Sequence, residues 1–219
     1  MRVVLMRHGQ TAGNAQRCYV GRRTDEPLSA EGRAQCARAG TLDQVRTVYV
    51  SPLLRTRQTA GLCFPSATQV VVDDLAECDF GAFEGRSAQD MEHDPAYRAW
   101  VAGGCTERCP GGESPDDHAR RTCAALEHLV RDAMARGERA LFVVAHGGTV
   151  MATLSMLGPR ALGTGTNPAT DAGGYFSWHV GNCEGYVATV RLDAGRVLLG
   201  DPRRFTHLSE ASGFLDGES

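Results

Sequence analysis

The sequence predicts an α/β fold with a ligand site at the carboxyl ends of its strands. Three observations predict it. Val3-Val4-Leu5-Met6 is a short continuous apolar run, the pattern of a buried strand, and it ends in Arg7-His8-Gly9. Leu141-Phe142-Val143-Val144-Ala145 is a second such run and ends in His146-Gly147-Gly148. Val45–Val50 alternates with branched residues as a strand does, and a helical stretch opened by Ser51-Pro52 follows it. Strands alternating with helices build open sheets, and such sheets bind ligands outside the strand ends.

A buried strand that delivers Arg and His together needs a partner for the charge, because burying an unpaired cation is costly. An anion at the strand end supplies one. A His-Gly pair alone also reads as a turn opener. The third strand end favours the anion reading: Arg55 falls in the first turn of the helix after Ser51, near the positive end of its dipole. Arg57 reads as a solvated helix residue.

The elements follow in order. Strand 2–7 leads to the loop with Gln10-Thr11 and Asn14. A helix is expected over 29–43, capped by Ser29, with Ala30, Ala34, Ala37 and Leu42 on one face. Strand 45–50 and helix 52–63 come next, with Ser51 as cap and Pro52 first in the helix. A strand at 69–73 precedes a loop carrying Glu77. Residues 86–112 hold short helical pieces and many glycines, and read as a cap over the site. A strong helix runs 115–136: Ser114 caps it, Asp117 completes the capping box, and Gly137 ends it. Leu126, Leu129, Val130 and Ala133 repeat at helical spacing. Strand 140–145, helix 148–157 and a Gly/Thr/Pro-rich loop at 158–174 follow. Strands are expected at 175–180, 186–192 and 196–199, with Asp193-Ala194-Gly195 as a turn. Residues after 209 read as a loose polar tail. The whole, 1–219, reads as one domain.

Composition narrows the function. A net charge of −3 disfavours a nucleic-acid binder, which carries a basic footprint. No run is long enough to span a membrane, and Met1-Arg2 leads straight into a strand with no signal-peptide pattern, so a cytoplasmic protein without membrane association is expected. The eight cysteines form no Cys-x-x-Cys pair, and Cys105 and Cys109 stand without a second pair. They read as reduced thiols, mostly small core residues, with no metal and no cofactor.

Several blocks together resemble the histidine phosphatase superfamily, also called phosphoglycerate mutase-like. They are Leu5-Met6-Arg7-His8-Gly9-Gln10-Thr11 with Asn14; Gly21, Pro27-Leu28-Ser29 and Glu31-Gly32; Ser51-Pro52-Leu53-Leu54-Arg55 with Gln58-Thr59-Ala60; Leu75 to Gly85; Pro110-Gly111-Gly112-Glu113-Ser114; and Val143 to Gly148. Their order runs through about seven-tenths of the chain. The resemblance implies a three-layer α/β/α sandwich with a mostly parallel central sheet. The Phe-Gly-x-Phe-Glu-Gly and Pro-Gly-Gly-Glu-Ser blocks are most similar to small bacterial phosphatases, among them α-ribazole-5′-phosphate phosphatase and broad-specificity members. Phosphoglycerate mutases carry a paired-Arg segment that grips their substrate. Between Arg86 and Pro110 this chain has only the single, separated arginines Arg98 and Arg108 in its place.

The resemblance implies roles that suit the chemistry. His8 is the candidate nucleophile, a neutral imidazole that forms a covalent phosphoenzyme and has its second nitrogen pinned by a backbone carbonyl. Arg7, Arg55 and His146 hold the phosphoryl oxygens, with Asn14 and Gly147 as neutral donors. Glu77 is the candidate general acid, then base toward water; Glu84 competes for the role and reads as structural. The cations supply the charge that a metal supplies in other phosphoryl-transfer enzymes. The expected activity is metal-independent hydrolysis of a small phosphorylated metabolite, with α-ribazole 5′-phosphate a candidate. A mutase primed by 2,3-bisphosphoglycerate and a non-catalytic phosphate-binding protein are the alternatives. Oligomerisation stays open.

Overall fold

Val3, Val4, Leu5 and Met6 are all at most 4% exposed, which demands cover on both faces of strand β1 (Arg2–Arg7). The computed structural model, which describes residues 1–159 and 175–216, provides it. Alternate side chains part to opposite faces. Val3 and Leu5 join a core built from helices α5 (Pro115–Ala135) and α6 (Gly147–Leu157). Val4 and Met6 join a second core with α2 (Ala30–Ala39), α3 (Leu54–Cys63) and α7 (Leu208–Asp216). The result is the expected three-layer α/β/α arrangement. No described helix is long and apolar enough to cross a membrane.

Six strands form the sheet in the order β3-β2-β4-β1-β5-β6. Strands β2 (Thr47–Val50), β3 (Thr68–Val71) and β4 (Ala140–Ala145) run parallel with β1. Strands β5 (Gly185–Asp193) and β6 (Arg196–Phe205) are antiparallel additions at one edge. The register of β1 and β4 decides the site: Arg7 pairs with Ala145, and the His8 amide donates to the Ala145 carbonyl at 3.0 Å. Both His-Gly corners therefore leave the sheet side by side.

The remaining elements are a one-turn helix α1 (Ala12–Ala15), capped by Thr11, and α4 (Pro95–Ala102), capped by Asp94. Within the excursion at 86–112, Met91, Tyr97, Trp100 and Cys109 make a small core of their own against Phe83. The two glycine-rich blocks meet there. A Cβ on Gly81 would lie 2.2 Å from the Pro110 carbonyl, and one on Gly112 would lie 2.2 Å from that of Asp79. Only glycine permits this crossing.

Several expectations need correction. The helix expected over 29–43 stops at Ala39, because Gly40 takes φ +85°. Leu42 belongs to the loop behind it, and the buried face is Gly32, Cys36 and Ala39, not the alanines expected. Ser51 does not cap α3: the helix starts two residues later, after Leu53, and no side chain caps it. Residues 175–178 form a single 3₁₀ turn, not a strand. The Trp178 ring packs against that of Tyr186, with centroids 5.8 Å apart. Strand β6 runs to Phe205, six residues past its expected end at 199. The tail expected to be loose is helix α7, anchored by fully buried Leu208 and Ala211. Of the loop expected at 158–174, residues 160–174 lie outside the described residues.

Candidate active site

Three parallel strands deliver the polar groups. Continuing from β1, His8 is 3% exposed and its Nδ1 lies 2.6 Å from the Gly9 carbonyl oxygen. A carbonyl can only accept, so Nδ1 carries the proton and Nε2 keeps its lone pair. Burial holds the imidazole well below its usual range, and the Arg55 and Arg7 cations push the same way. His8 is a neutral base in its resting state. The corner is tight: a Cβ on Gly9 would stand 2.7 Å from the Gly32 carbonyl, and the Gly9 amide donates to Thr59 Oγ1 at 3.0 Å.

From β4, His146 is fully buried, and its ring centroid lies 5.1 Å from that of His8. Its Nδ1 accepts from Arg55 Nε at 3.3 Å, and its Nε2 donates to Ser51 Oγ at 2.8 Å. This is what Ser51, at the end of β2, does in place of capping. Burial and Arg55 hold His146 well below its ordinary value too. Both ring nitrogens are engaged here, so His146 orients Arg55 directly; its expected bond to a phosphoryl oxygen requires one of those two to be exchanged.

Arg55 is fully buried. Its Nη1 donates to the Thr24 carbonyl at 2.7 Å, and its Nη2 to Gly21 at 3.0 Å and Val20 at 3.3 Å. The loop 20–24 that holds it is itself tied down by Glu84, which accepts from the Gly21 amide at 2.9 Å and the Thr24 hydroxyl at 2.8 Å. Glu84 thus takes the structural place expected of it. Arg7 donates from Nη1 to the Val180 carbonyl at 2.8 Å, while its buried Nε has no partner. Gly147 lies against it; a Cβ there would stand 3.3 Å from Arg7 Nε. Burial lowers the affinity of both guanidinium groups for their protons, and Glu77 opposes this. Asn14 turns its Oδ1 to the Thr11 amide at 3.2 Å, leaving Nδ2 to donate.

Glu77 is 8% exposed. Its Oε2 accepts from the Gly148 amide at 3.0 Å, at the second position of α6, and its Oε1 accepts from the Cys78 amide at 2.9 Å. A Cβ on Gly148 would stand 2.3 Å from Oε1, so the second glycine after His146 makes room for the carboxylate. The structure therefore gathers His8, Arg7, Arg55, His146, Gly147 and Glu77 around the ends of β1 and β4.

Residue patterns alone missed a supporting set. Arg121 forks onto Glu113 at 2.9 and 2.8 Å and donates to the carbonyls of Asp74 at 2.7 Å and Ala76 at 3.1 Å, fixing the backbone before Glu77. Fully buried His118 places Nε2 3.4 Å from Glu77 Oε1. Asn182 donates to the His8 carbonyl at 3.0 Å. The Pro-Gly-Gly-Glu-Ser block signalled Glu113. Its partner eight residues along, on a helix, follows no short-range rule.

Beside Glu77 opens a cavity of about 280 Å³. Its wall includes Tyr19, Phe80, Trp100, Met151, Tyr175 and His118. Among the described residues no group of three or more His, Cys, Asp or Glu side chains is arranged to hold a metal ion.

The model of the histidine phosphatase superfamily (branch 1) matches residues 3–190. The bifunctional protein Rv2228c of Mycobacterium tuberculosis is 39% identical over 136 residues, 59% of this chain but 37% of its own length. The chain thus spans little more than a third of that relative. The probable phosphoglycerate mutase GpmB of Klebsiella pneumoniae is 33% identical over 156 residues, 67% of this chain and 70% of its own. Among solved structures, the α-ribazole phosphatase from Shigella flexneri superposes with a TM-score of 0.69 at 24% identity, covering 91% of this chain and 94% of that one. The phosphoglycerate mutase from Thermus thermophilus does so with a TM-score of 0.59 at 30% identity, covering 90% and 96%.

Proposed function

The chain belongs to the histidine phosphatase superfamily, and from that premise we propose that it is a metal-independent phosphomonoesterase acting on a small phosphorylated metabolite through a phosphohistidine at His8. The observation that carries this reading is a buried, neutral imidazole under the influence of the Arg55 and Arg7 cations, its Nδ1–H donated to the Gly9 carbonyl. A bare Nε2 beside cations suits attack on a phosphoryl group and little else.

The steps balance on these groups. His8 Nε2 bonds to phosphorus as the ester P–O bond breaks, and Glu77 gives its proton to the leaving oxygen, releasing an alcohol. Arg7 and Arg55 offset the charge on the remaining oxygens, with Asn14 as a further donor. Water then bonds to phosphorus, Glu77 takes its proton, and the P–N bond breaks to free phosphate and neutral His8. Removing one such electrostatic donor typically costs ~10²–10³ in rate.

The cavity beside Glu77 would hold the leaving alcohol. Tyr19, Phe80, Trp100 and Tyr175 give it aromatic walls, which suit an apolar or aromatic alcohol, and α-ribazole 5′-phosphate is such a substrate. A phosphoglycerate mutase needs cations for the substrate carboxylate. The relatives named as mutases raise that alternative; the aromatic wall weighs against it.

A panel of phosphate monoesters tests the proposal. Free phosphate should appear without added 2,3-bisphosphoglycerate, with kcat/KM higher for aryl-bearing alcohols than for glycerates, and activity should survive EDTA. Interconversion of phosphoglycerates with little free phosphate would overturn it, as would a loss under EDTA that Mg²⁺ restores.

A further inference from the structure

The mechanism above leaves one buried titratable group unused. His118, in the first turn of α5, is 1% exposed and reaches the same carboxylate that donates the proton. We propose that His118 is a positioning residue that shares one proton with Glu77, so that the pair, not the carboxyl alone, holds the acid proton beside the leaving group. This rests on the reading of Glu77 as general acid.

The geometry carries the proposal. His118 Nε2 lies 3.4 Å from Glu77 Oε1 and 3.5 Å from Thr149 Oγ1, with side chains 2% and 11% exposed for the His–Glu pair. Two lone pairs do not face each other in a dry site, so a proton lies between them. In the proposed pair the ring keeps its single N–H on Nδ1. That leaves Nε2, the nitrogen nearest Glu77 Oε1, a bare acceptor. The proton between the pair then belongs to the carboxyl group, which donates to Nε2 while its other bonds come from the Cys78 and Gly148 amides.

The surroundings keep the ring neutral. Burial lowers the proton affinity of His118, and Arg121 adds to this, while Glu77 and Glu113 oppose it. From the other elements, the titratable neighbours of the pair are Tyr175 and Cys78 near Glu77 and His146 near His118. Tyr175 and Cys78 are both raised, chiefly by burial, and stay protonated. His146 is held neutral. Among the described residues, His118 is the titratable group placed to take the acid proton. Both members of the pair line the cavity for the leaving alcohol.

The tautomer is read directly in the wild-type protein. The ¹⁵N shifts of His118 should show a protonated Nδ1 and a hydrogen-bonded, unprotonated Nε2. A protonated Nε2 overturns the proposal. In His118→Gln the amide donates to Glu77 and favours the bare carboxylate. The ratio of alkyl to p-nitrophenyl phosphate turnover should then fall at least about tenfold, within the range of general acid help, and the alkaline limb of the alkyl kcat profile should move to lower pH. An unchanged ratio and limb overturn the proposal. Glu77→Gln keeps the two readings apart. If it collapses the ratio and His118→Gln does not, His118 alone is wrong; if it leaves the ratio intact, the assignment of Glu77 fails.

Discussion

Arg55 shows how a buried charge is made tolerable. Three carbonyls and one imidazole hold it, and the carbonyls lie in a loop pinned by the carboxylate of Glu84. Glu84 accepts from the amides of Gly21 and, more loosely at 3.3 and 3.4 Å, of Arg23 and Phe80. Glu84→Gln reverses one end of that acceptor set. It is expected to lower stability by about 1–3 kcal/mol and to raise KM, while leaving the alkyl-to-aryl rate ratio as in wild type. A collapsed ratio would give Glu84 the acid role. His8→Ala removes the proposed nucleophile but only a small polar ring from the core. We expect a folded protein, by circular dichroism, that turns over p-nitrophenyl phosphate at a negligible rate, and wild type quenched in mid-turnover should yield a phosphoenzyme labile to acid. Near wild-type turnover by the variant would refute the assignment. At this scale the sequence singled out the candidate groups that the structure gathers around the ends of β1 and β4, because chemistry restricts them to few residue types. It did not reveal His118, Arg121 or Asn182, whose partners lie 41, 45 and 174 positions away in the contacts Glu77, Ala76 and His8.

At the scale of elements, legibility followed local physics. Strands β1 and β4 match their expected bounds, since four or more consecutive apolar residues have few other uses. Helix α5 starts where Ser114 and Asp117 form a reciprocal cap. Errors arose where tertiary contacts decided. Tyr175–Trp178 has strand composition and folds as a turn. The serines and glycine of α7 read as a tail until Leu208 and Ala211 find the second core. Helix α6 carries the sharpest functional constraint, because its first turn must admit two side chains. Gly148→Ala would favour the helix by propensity, about 1 kcal/mol. Its Cβ would nonetheless stand 2.3 Å from Glu77 Oε1 and displace the carboxylate. The expected outcome is a melting temperature at or near that of wild type with kcat lowered at least about tenfold, most of all for alkyl phosphates. Undiminished alkyl turnover would show that Glu77 need not sit against α6.

The whole molecule couples its site to its stability through pH. His8 and His146 are buried and held neutral, with folded values well below the 6.5 of an unfolded histidine. Above that pH both states leave the rings neutral, and the two residues add no pH dependence. As pH falls below it, the unfolded chain takes up two protons that the folded chain refuses, so folding stability falls. The loss continues down to the folded values. The paired carboxylates, such as Glu113 held low by Arg121 against the cost of its burial, add their own loss only at more acid pH. His118 is counted with Glu77, the partner with which it is proposed to share a proton. Between pH 7.5 and 5.5 the two histidines account for about 3 kcal/mol, or a Tm lower by roughly 6–12 °C for a chain of this size. Melts in phosphate-free buffer measure this directly. His146→Asn should halve the dependence, since Asn cannot take up a proton in either state. A Tm that is flat across this interval in wild type, or a slope unmoved by His146→Asn, would mean that the site does not hold its imidazoles neutral, and the nucleophilic state of His8 would lose its physical basis.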